Sequence, residues 1–90
     1  MSHIYQDKKI LNRIKRLQGQ LKALEQAVQQ PETTCIEVLQ QVAAAKGAMG
    51  GLMNELIESH LRQHVITDET AINEEELVRF LAILKRYNST

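Results

Sequence analysis

The sequence predicts an all-α protein of three helices, and three observations support this fold class. Apolar residues recur at intervals of three and four in three separate stretches, which is the spacing of helices with one buried face. No stretch alternates apolar and polar residues as a strand does, and the chain has no glycine-rich phosphate loop. The chain contains two tyrosines, one phenylalanine and no tryptophan. A core of small aliphatic side chains between packed helices fits this composition.

Length and charge narrow the class of protein. Ninety residues suit one domain with a modest core, so we expect a single helical domain over residues 1–90 whose remaining buried surface comes from other subunits. Basic and acidic residues number eleven each, so net charge alone indicates no partner. Because the chain has no long apolar run and no signal peptide, we expect a cytoplasmic protein without a membrane partner. A lone cysteine there is a buried thiol, a reactive thiol or a metal ligand.

The first helix is predicted over about residues 7–29, with Asp7 as a suitable N-cap. Its apolar residues alternate spacings of four and three, a heptad pattern that packs against other helices. These residues are Ile10, Ile14, Leu17, Leu21, Leu24 and Val28.

The same helix carries six basic residues with no acidic residue among them. They are Lys8, Lys9, Arg13, Lys15, Arg16 and Lys22. Lys9, Arg13 and Arg16 form one stripe beside the apolar seam. In one chain alone, such a stripe can equally be a solvated helix face or a binding surface. Repeated on symmetric subunits, it becomes a large basic surface able to bind the phosphates of a nucleic acid by counterion release.

The second helix is predicted over residues 34–64, after a turn marked by Pro31, with Thr33 or Thr34 as its N-cap. Its apolar positions keep the helical spacing and no proline interrupts them. Because glycine weakens a helix interior by about 1 kcal/mol relative to alanine, three glycines within residues 47–51 leave a loop there as the alternative.

Possible metal ligands lie at both ends of this helix. Cys35 is near its start, whereas His60 and His64 lie one turn apart at its end. The 25 positions from Cys35 to His60 correspond to about 37 Å of helix, so these side chains cannot meet within one straight helix. Either the chain turns back at the glycines or a second subunit's helix lies antiparallel. We favour the antiparallel dimer, because its two-fold axis would pass between Gly47 and Ala48, within a run of small residues.

One thiolate and two imidazoles suit Co, Ni, Zn or Cu(II) better than Cu(I), which prefers more sulfur. If the N-terminal arm folds back, His3 adds an imidazole and the amine of Ser2 adds another nitrogen. The larger ligand number favours Ni(II) or Co(II) over tetrahedral Zn(II), which can still bind in vitro. The alternative for His3 is an incidental histidine at a frayed end.

The third helix is predicted to follow a polar connection over residues 65–72. Asn73 is a suitable N-cap, three glutamates follow it, and Lys85 and Arg86 lie in the last turn, which matches the helix dipole. The expected buried face consists of Leu77, Phe80, Leu81, Leu84 and Tyr87.

Two other functions are compatible with three helices. A hydrolase would use Cys35 as nucleophile and His60 as base, but the chain offers no orienting acid at a recognisable spacing and no oxyanion loop. A thin bundle also has no room for a deep substrate pocket, so we expect no enzyme. A purely structural helical oligomer is the other alternative.

Three stretches of the chain together resemble the CsoR/RcnR/FrmR family of small helical bacterial repressors. They are residues 13–25, residues 38–47 with Cys35 before them, and residues 51–60. The resemblance implies a long second helix that forms an antiparallel four-helix-bundle dimer, and a homotetramer made as a dimer of dimers. It also implies a repressor that holds operator DNA until an inducer binds across the dimer interface. The residues expected to face DNA are Lys8, Lys9, Arg13, Lys15, Arg16 and Lys46.

The resemblance also indicates the inducer. Nickel and cobalt sensors of this family are similar to the chain at His3, Cys35, His60 and His64, whereas copper sensors carry a second cysteine at the last position. Formaldehyde sensors share the cysteine and carry proline where this chain has Ser2. A formaldehyde-responsive repressor that uses Cys35 and the Ser2 amine is therefore the alternative to Ni(II) or Co(II).

Overall fold

The computed structural model describes residues 7–66 and 68–88, which form three α-helices joined by turns. Helix α1 spans Lys8–Val28, α2 spans Cys35–His60 and α3 spans Glu74–Asn88. A π-helical turn, Leu61–Val65, follows α2, and a 3-10 turn, Glu69–Ala71, precedes α3. No strand occurs in these two ranges, and the predicted all-α fold with a long second helix is confirmed.

Each helix begins at a residue predicted to cap it. Asp7 Oδ1 accepts hydrogen bonds from two backbone N–H groups of the first turn of α1, at 2.9 and 3.3 Å. At the start of α2, Thr34 and Glu37 form a capping box, in which each side chain accepts from the other residue's backbone N–H. Asn73 Oδ1 accepts from a first-turn N–H of α3 at 3.2 Å. These caps satisfy amides that have no partner inside the helix.

Helix α2 continues through its three glycines, so the alternative of a loop at residues 47–51 is wrong. A Cβ at Gly50 would lie 2.7 Å from the backbone oxygen of Asn88, and a Cβ at Gly51 would lie 2.6 Å from Nη1 of Arg13. From the small side chains around Gly47 and Ala48, we predicted that the helices of two subunits approach closely at this point. Two of its glycines already serve close approaches within the chain.

The end of α2 differs from the prediction. The α-helix ends at His60, and the backbone N–H of Ile66 donates to the carbonyl oxygen of Leu61 at 2.7 Å. This i to i+5 bond is that of a π turn, which is wider than an α-helical turn. His64 therefore lies on the π turn and not on the α-helix that carries His60.

The helices form a thin layer of 57 × 26 × 13 Å, in which α2 packs against both α1 and α3. Since one helix with its side chains is about 10–12 Å across, the layer is one helix thick. Among the described residues, only Ile10, Leu17 and Gly50 are buried. Large apolar side chains remain exposed along α2, namely Ile36, Leu39, Val42, Met49 and Met53.

The predicted buried face of α3 is only partly correct. Leu77, Leu81 and Leu84 are half-buried, but Phe80 is 51% exposed and Tyr87 is 79% exposed. The prediction is wrong for these two aromatic residues in the single chain. In a layer one helix thick, α3 is covered along a narrower stripe than its apolar residues occupy.

Candidate metal centre and basic surface

Cys35 is the first residue of α2, and it is exposed. The capping box of Thr34 and Glu37 fixes the backbone of this turn on both sides of the cysteine. The position of the thiol therefore depends on residues next to it in the sequence. An exposed thiol at a helix end is accessible to groups that come from outside the subunit.

His60 and His64 lie at the opposite end of α2, where the α-helix gives way to the π turn. Their ring centroids are 5.2 Å apart, the ring planes are tilted by 40°, and both residues are exposed. Since an imidazole nitrogen binds a divalent metal at about 2.0–2.1 Å, two rings this close can share one ion after small side-chain rotations. The structure thus brings two of the predicted ligands together.

The third predicted ligand is not brought to this pair within one chain. α2 is continuous between Cys35 and His60, and its 25 steps correspond to about 37 Å. Within residues 7–66 and 68–88, no group of three or more His, Cys, Asp or Glu residues is suited to hold a metal ion. One chain supplies a thiol at one end and an imidazole pair at the other. Together, one thiolate and two imidazoles are a donor set that suits a divalent ion of borderline softness, but the described part of one chain does not bring the three together.

Two further predicted ligands, Ser2 and His3, lie outside the residues that the structure describes. Their contribution to a metal site, and the predicted reaction of the Ser2 amine with formaldehyde, stay predictions.

Arg62 lies on the π turn and forms three hydrogen bonds. Its Nε donates to Glu58 Oε2, while Nη1 and Nη2 donate to the two carboxylate oxygens of Glu74, each at 3.1 Å. The hydrogen bonds to Glu74 and Glu58 raise the pKa of the Arg62 guanidinium. In return, the hydrogen bond from Arg62 lowers the pKa of the Glu74 carboxyl. This network connects the histidine end of α2 to the first residue of α3.

Sequence patterns alone did not identify Arg62 as part of this region. The contact between Arg62 and Glu58 could have been predicted from the sequence, because the two residues are four apart, which is the spacing of an ion pair on a helix. Glu74 lies twelve residues further on, in another helix. No local spacing predicts that contact.

The basic residues predicted to face DNA are mostly exposed on α1. The exposed residues are Lys8, Lys9, Lys15 and Arg16. Lys9, Arg13 and Arg16 line one groove of about 360 Å³, so they share a face as their spacing predicts. Lys46 is exposed on α2 and lines a separate depression beside Met49 and Met53. The structure therefore places Lys46 apart from the α1 stripe within one chain.

Arg13 differs from its basic neighbours because it is tied to α2. Its Nη2 lies 3.3 Å from Glu55 Oε1, and both side chains are partly covered. The guanidinium also lies against Gly51, where a Cβ would be 2.6 Å from Nη1. Glu55 therefore holds one of the predicted DNA-facing cations in a fixed position.

The described helices include none that is long and apolar enough to cross a bilayer.

Comparison with known proteins gives a consistent result over nearly the whole chain. Residues 6–86 match a family described as metal-sensitive transcriptional repressor. The transcriptional repressor RcnR of Salmonella paratyphi B is 42% identical over 89 residues, which cover 97% of this chain and 98% of the relative. RcnR of Citrobacter koseri is 39% identical with the same coverage. A protein from the bioA 5′ region of Serratia marcescens is 38% identical over 90 residues, again covering 97% and 98%. No solved structure matches the chain.

Proposed function

Since the chain belongs to the metal-sensitive transcriptional repressor family, we propose that it holds operator DNA and is released when Ni(II) or Co(II) binds. The family consists of transcriptional repressors, so the prediction that the chain is no enzyme is confirmed, and a metal ion is the class of inducer. The preference for Ni(II) or Co(II) rests on the donor set. Cys35, His60 and His64 offer nitrogen and sulfur, and His3 would raise the ligand number above the four typical of Zn(II).

The observation that carries the proposal is the separation of the ligands by one straight helix. The thiol of Cys35 and the imidazoles of His60 and His64 lie at opposite ends of α2, and all three are exposed. In an antiparallel pair of α2 helices, each end of one helix lies beside the other end of its partner. Two identical sites then form, each with one thiolate and two imidazoles from different subunits.

The surface of α2 supports such a pairing. Its exposed apolar side chains include Leu39, Val42 and Met49, which lie on both sides of the expected two-fold axis at Gly47 and Ala48. Burying apolar surface stabilises by about 25 cal/mol per Å², so a layer with almost no core of its own gains much of its stability by pairing. A homodimer of this kind, and a homotetramer made from two of them, are the assemblies that we propose.

The DNA-facing surface in this proposal is the basic side of α1. Lys9, Arg13 and Arg16 line one groove there, and Lys8 and Lys15 are exposed nearby. Symmetric copies of this surface would bind phosphates of operator DNA by releasing counterions. Phosphate contacts and DNA shape would supply much of the recognition, since the residues expected to face DNA are lysines and arginines on a mostly exposed surface.

Induction requires that the metal-bound conformation has lower affinity for DNA, because a ligand shifts an equilibrium only by its differential affinity for the two states. Residues 1–6 lead directly into Asp7 and the basic residues at the start of α1. We propose that recruitment of His3 to the site draws this arm inward and moves the basic residues from Lys8 to Arg16 away from the phosphates. His3→Ala should then bind metal more weakly and stay on DNA when metal is added.

The test of the proposed function is release of the protein from DNA of its own promoter region at fixed salt. Ni(II), Co(II), Zn(II), Cu(I) and formaldehyde are titrated separately, and binding is followed by fluorescence anisotropy. We expect release by Ni(II) or Co(II), lost in His64→Ala. Gln63→Ala is the matched control, because Gln63 is the exposed neighbour of His64 and offers no metal-binding nitrogen at neutral pH.

Each alternative gives a different result in this titration. Release by formaldehyde alone, lost in Cys35→Ala, would replace the metal sensor with an aldehyde sensor that uses the Ser2 amine and Cys35. Retention of DNA with every inducer would contradict the proposal altogether.

A further inference from the structure

The π turn at Leu61–Val65 sets the position of His64 relative to His60. Residues four apart in an α-helix are neighbours on one face, whereas a π turn closes an i to i+5 hydrogen bond and is frequent at functional sites. Here that bond joins the Ile66 N–H to the Leu61 carbonyl oxygen at 2.7 Å. The two rings, whose centroids are 5.2 Å apart, therefore lie on either side of the junction between the α-helix and this wider turn.

Arg62 binds carboxylates on both sides of the turn. One is Glu58, a turn earlier in α2, and the other is Glu74, the first residue of α3. Both carboxylate oxygens of Glu74 accept from the guanidinium, each at 3.1 Å. A bidentate pair of this kind fixes direction as well as distance, because the guanidinium is a rigid planar fork. Arg62 thus joins the turn to the helix before it and to the helix after it.

A second arginine in the chain shows the difference between such a network and an ordinary surface pair. Arg79 also contacts two carboxylates, Glu75 at 2.9 Å and Glu76 at 3.3 Å, but all three residues belong to α3. Its side chain is 65% exposed, against 27% for Arg62. Exposed ion pairs within one helix contribute little to stability. These two contacts of Arg79 restrain no segment other than α3.

We propose that Arg62 is a positioning residue for the metal-binding histidines and holds the π turn so that His60 and His64 face one ion. The inference rests on the proposed metal-sensing function and adds to it a residue that contacts neither metal nor DNA. Through Glu74, the same hydrogen bonds make the start of α3 part of the sensing end of α2. A lysine cannot replace Arg62, because one ammonium group cannot form the bidentate pair and also reach Glu58.

The test compares the full-length variants Arg62→Gln, Glu74→Gln and the double variant with wild type, and uses Arg79→Gln as matched control. Co(II) affinity and the Co(II) absorption spectrum are measured. Residues that support metal ligands typically change affinity by about 10–100-fold, so we expect about tenfold weaker Co(II) binding in Arg62→Gln and Glu74→Gln. The double variant should be no weaker than Arg62→Gln, because both changes remove the same contact. Arg79→Gln should bind as wild type does, and Arg62→Lys should not restore affinity.

A second measurement needs no metal. Amide hydrogen exchange in the metal-free protein reports the Ile66 N–H, whose bond to Leu61 closes the π turn. We expect this amide to exchange about tenfold faster in Arg62→Gln and Glu74→Gln. In Arg79→Gln its exchange should be unchanged, and the far-ultraviolet circular dichroism of all variants should show that the helices are intact.

The outcomes separate this inference from the proposed function. If wild type binds neither Co(II) nor Ni(II), both are wrong. If wild type binds Co(II) and Arg62→Gln binds it equally well, only the inference is wrong. A loss of affinity with unchanged Ile66 exchange would also overturn it, because Arg62 would then act by a route other than the turn.

Discussion

The two halves of α2 differ in what covers them. In residues 35–49, eleven of the fifteen residues are exposed, whereas in residues 50–60 only Met53 and His60 are. Helix α3 contacts the second half, where Asn88 lies against Gly50 and donates a hydrogen bond to Asn54. Just beyond this half, Glu74 of α3 binds Arg62. The half that begins with the thiol therefore has an open face within its own chain, and the half that ends with the histidines is held by tertiary contacts.

This difference fits the proposal that α2 contributes its two ends to different copies of a shared site. The cysteine end is positioned locally by its capping box and stays open to a partner. At the histidine end, two imidazoles lie 5.2 Å apart and Arg62 is hydrogen-bonded to Glu74 of α3. In the proposed antiparallel dimer, the histidine end of the partner's α2 would lie against the exposed cysteine half of this helix. The two ends can be tested independently, and the variants below are ordered from the largest expected effect to the smallest.

The largest effect should come from separating the two ends on different chains. Cys35→Ala and His60→Ala/His64→Ala should each bind Co(II) at least about a hundredfold more weakly than wild type, since direct ligands matter more than the residues that support them. Mixed after co-refolding, they should regenerate one intact site in every mixed dimer, as counted by Co(II) titration. Either variant refolded alone is the control. If mixing restores nothing, each site takes its ligands from one chain and the comparison of the two ends fails.

A smaller effect is expected where the covered half of α2 begins. Gly50→Ala should lower the free energy of unfolding by about 1–3 kcal/mol, because its Cβ would lie 2.7 Å from the Asn88 backbone, which can move only with the end of α3. Gly19→Ala is the matched control: it lies in α1 with nothing within 4 Å of its Cβ, and should gain up to about 1 kcal/mol from helix propensity. Urea unfolding measures both. Equal changes in the two variants would contradict a close contact between α3 and Gly50.

At the cysteine end, Thr34→Ala should lower the free energy of unfolding by about 1 kcal/mol, because it removes the hydrogen bond from the Glu37 N–H to the Thr34 hydroxyl in the capping box. Amide exchange should rise in the first turn of α2 and stay unchanged at Ile66, since the histidine end does not depend on this cap. Thr33→Ala, one residue before the cap, is the control and should change neither. Faster exchange at Ile66 in Thr34→Ala would show that the two ends are coupled through the helix.

The smallest effect concerns acid stability at the histidine end. The Glu74 carboxyl has an ordinary pKa of 4.5 and a lower one when Arg62 binds it. The stability that this pair adds is therefore complete at neutral pH and is lost as the pH falls from 4.5 through the lower folded value. Thermal unfolding of wild type and Glu74→Gln should differ at pH 7, and the difference should shrink as the pH falls below 4.5. In the Arg62→Gln background, Glu74→Gln should have no such pH-dependent effect, and a persisting one would assign it to another partner.

The helices could be predicted largely because their signals are local. The heptad spacing of α1, the caps at Asp7, Thr34 and Asn73, and the continuous apolar pattern of α2 each involve residues within a few positions of one another. The prediction failed for Phe80 and Tyr87 because burial depends on what covers a face, and a layer one helix thick covers little of α3.

Part of the candidate site could likewise be predicted from local spacing, and part of it could not. The i and i+4 spacing of His60 and His64 predicts their proximity, and the length of α2 keeps Cys35 away from both histidines within one chain. The π turn, and the Arg62 network that spans it, could not be predicted. They depend on where α3 returns along α2, which no spacing within either helix encodes.

By itself the sequence determined the three helices, their caps, the opposite placement of thiol and imidazoles, and the basic stripe on α1, because all of these follow from periodicity and short-range hydrogen bonds. Only the tertiary structure decided that Gly50 and Gly51 serve contacts within the chain, that Glu55 binds Arg13, and that Arg62 joins the π turn to α3. These contacts join residues from different helices. Their geometry is set by how the helices pack against one another, which local pattern does not specify.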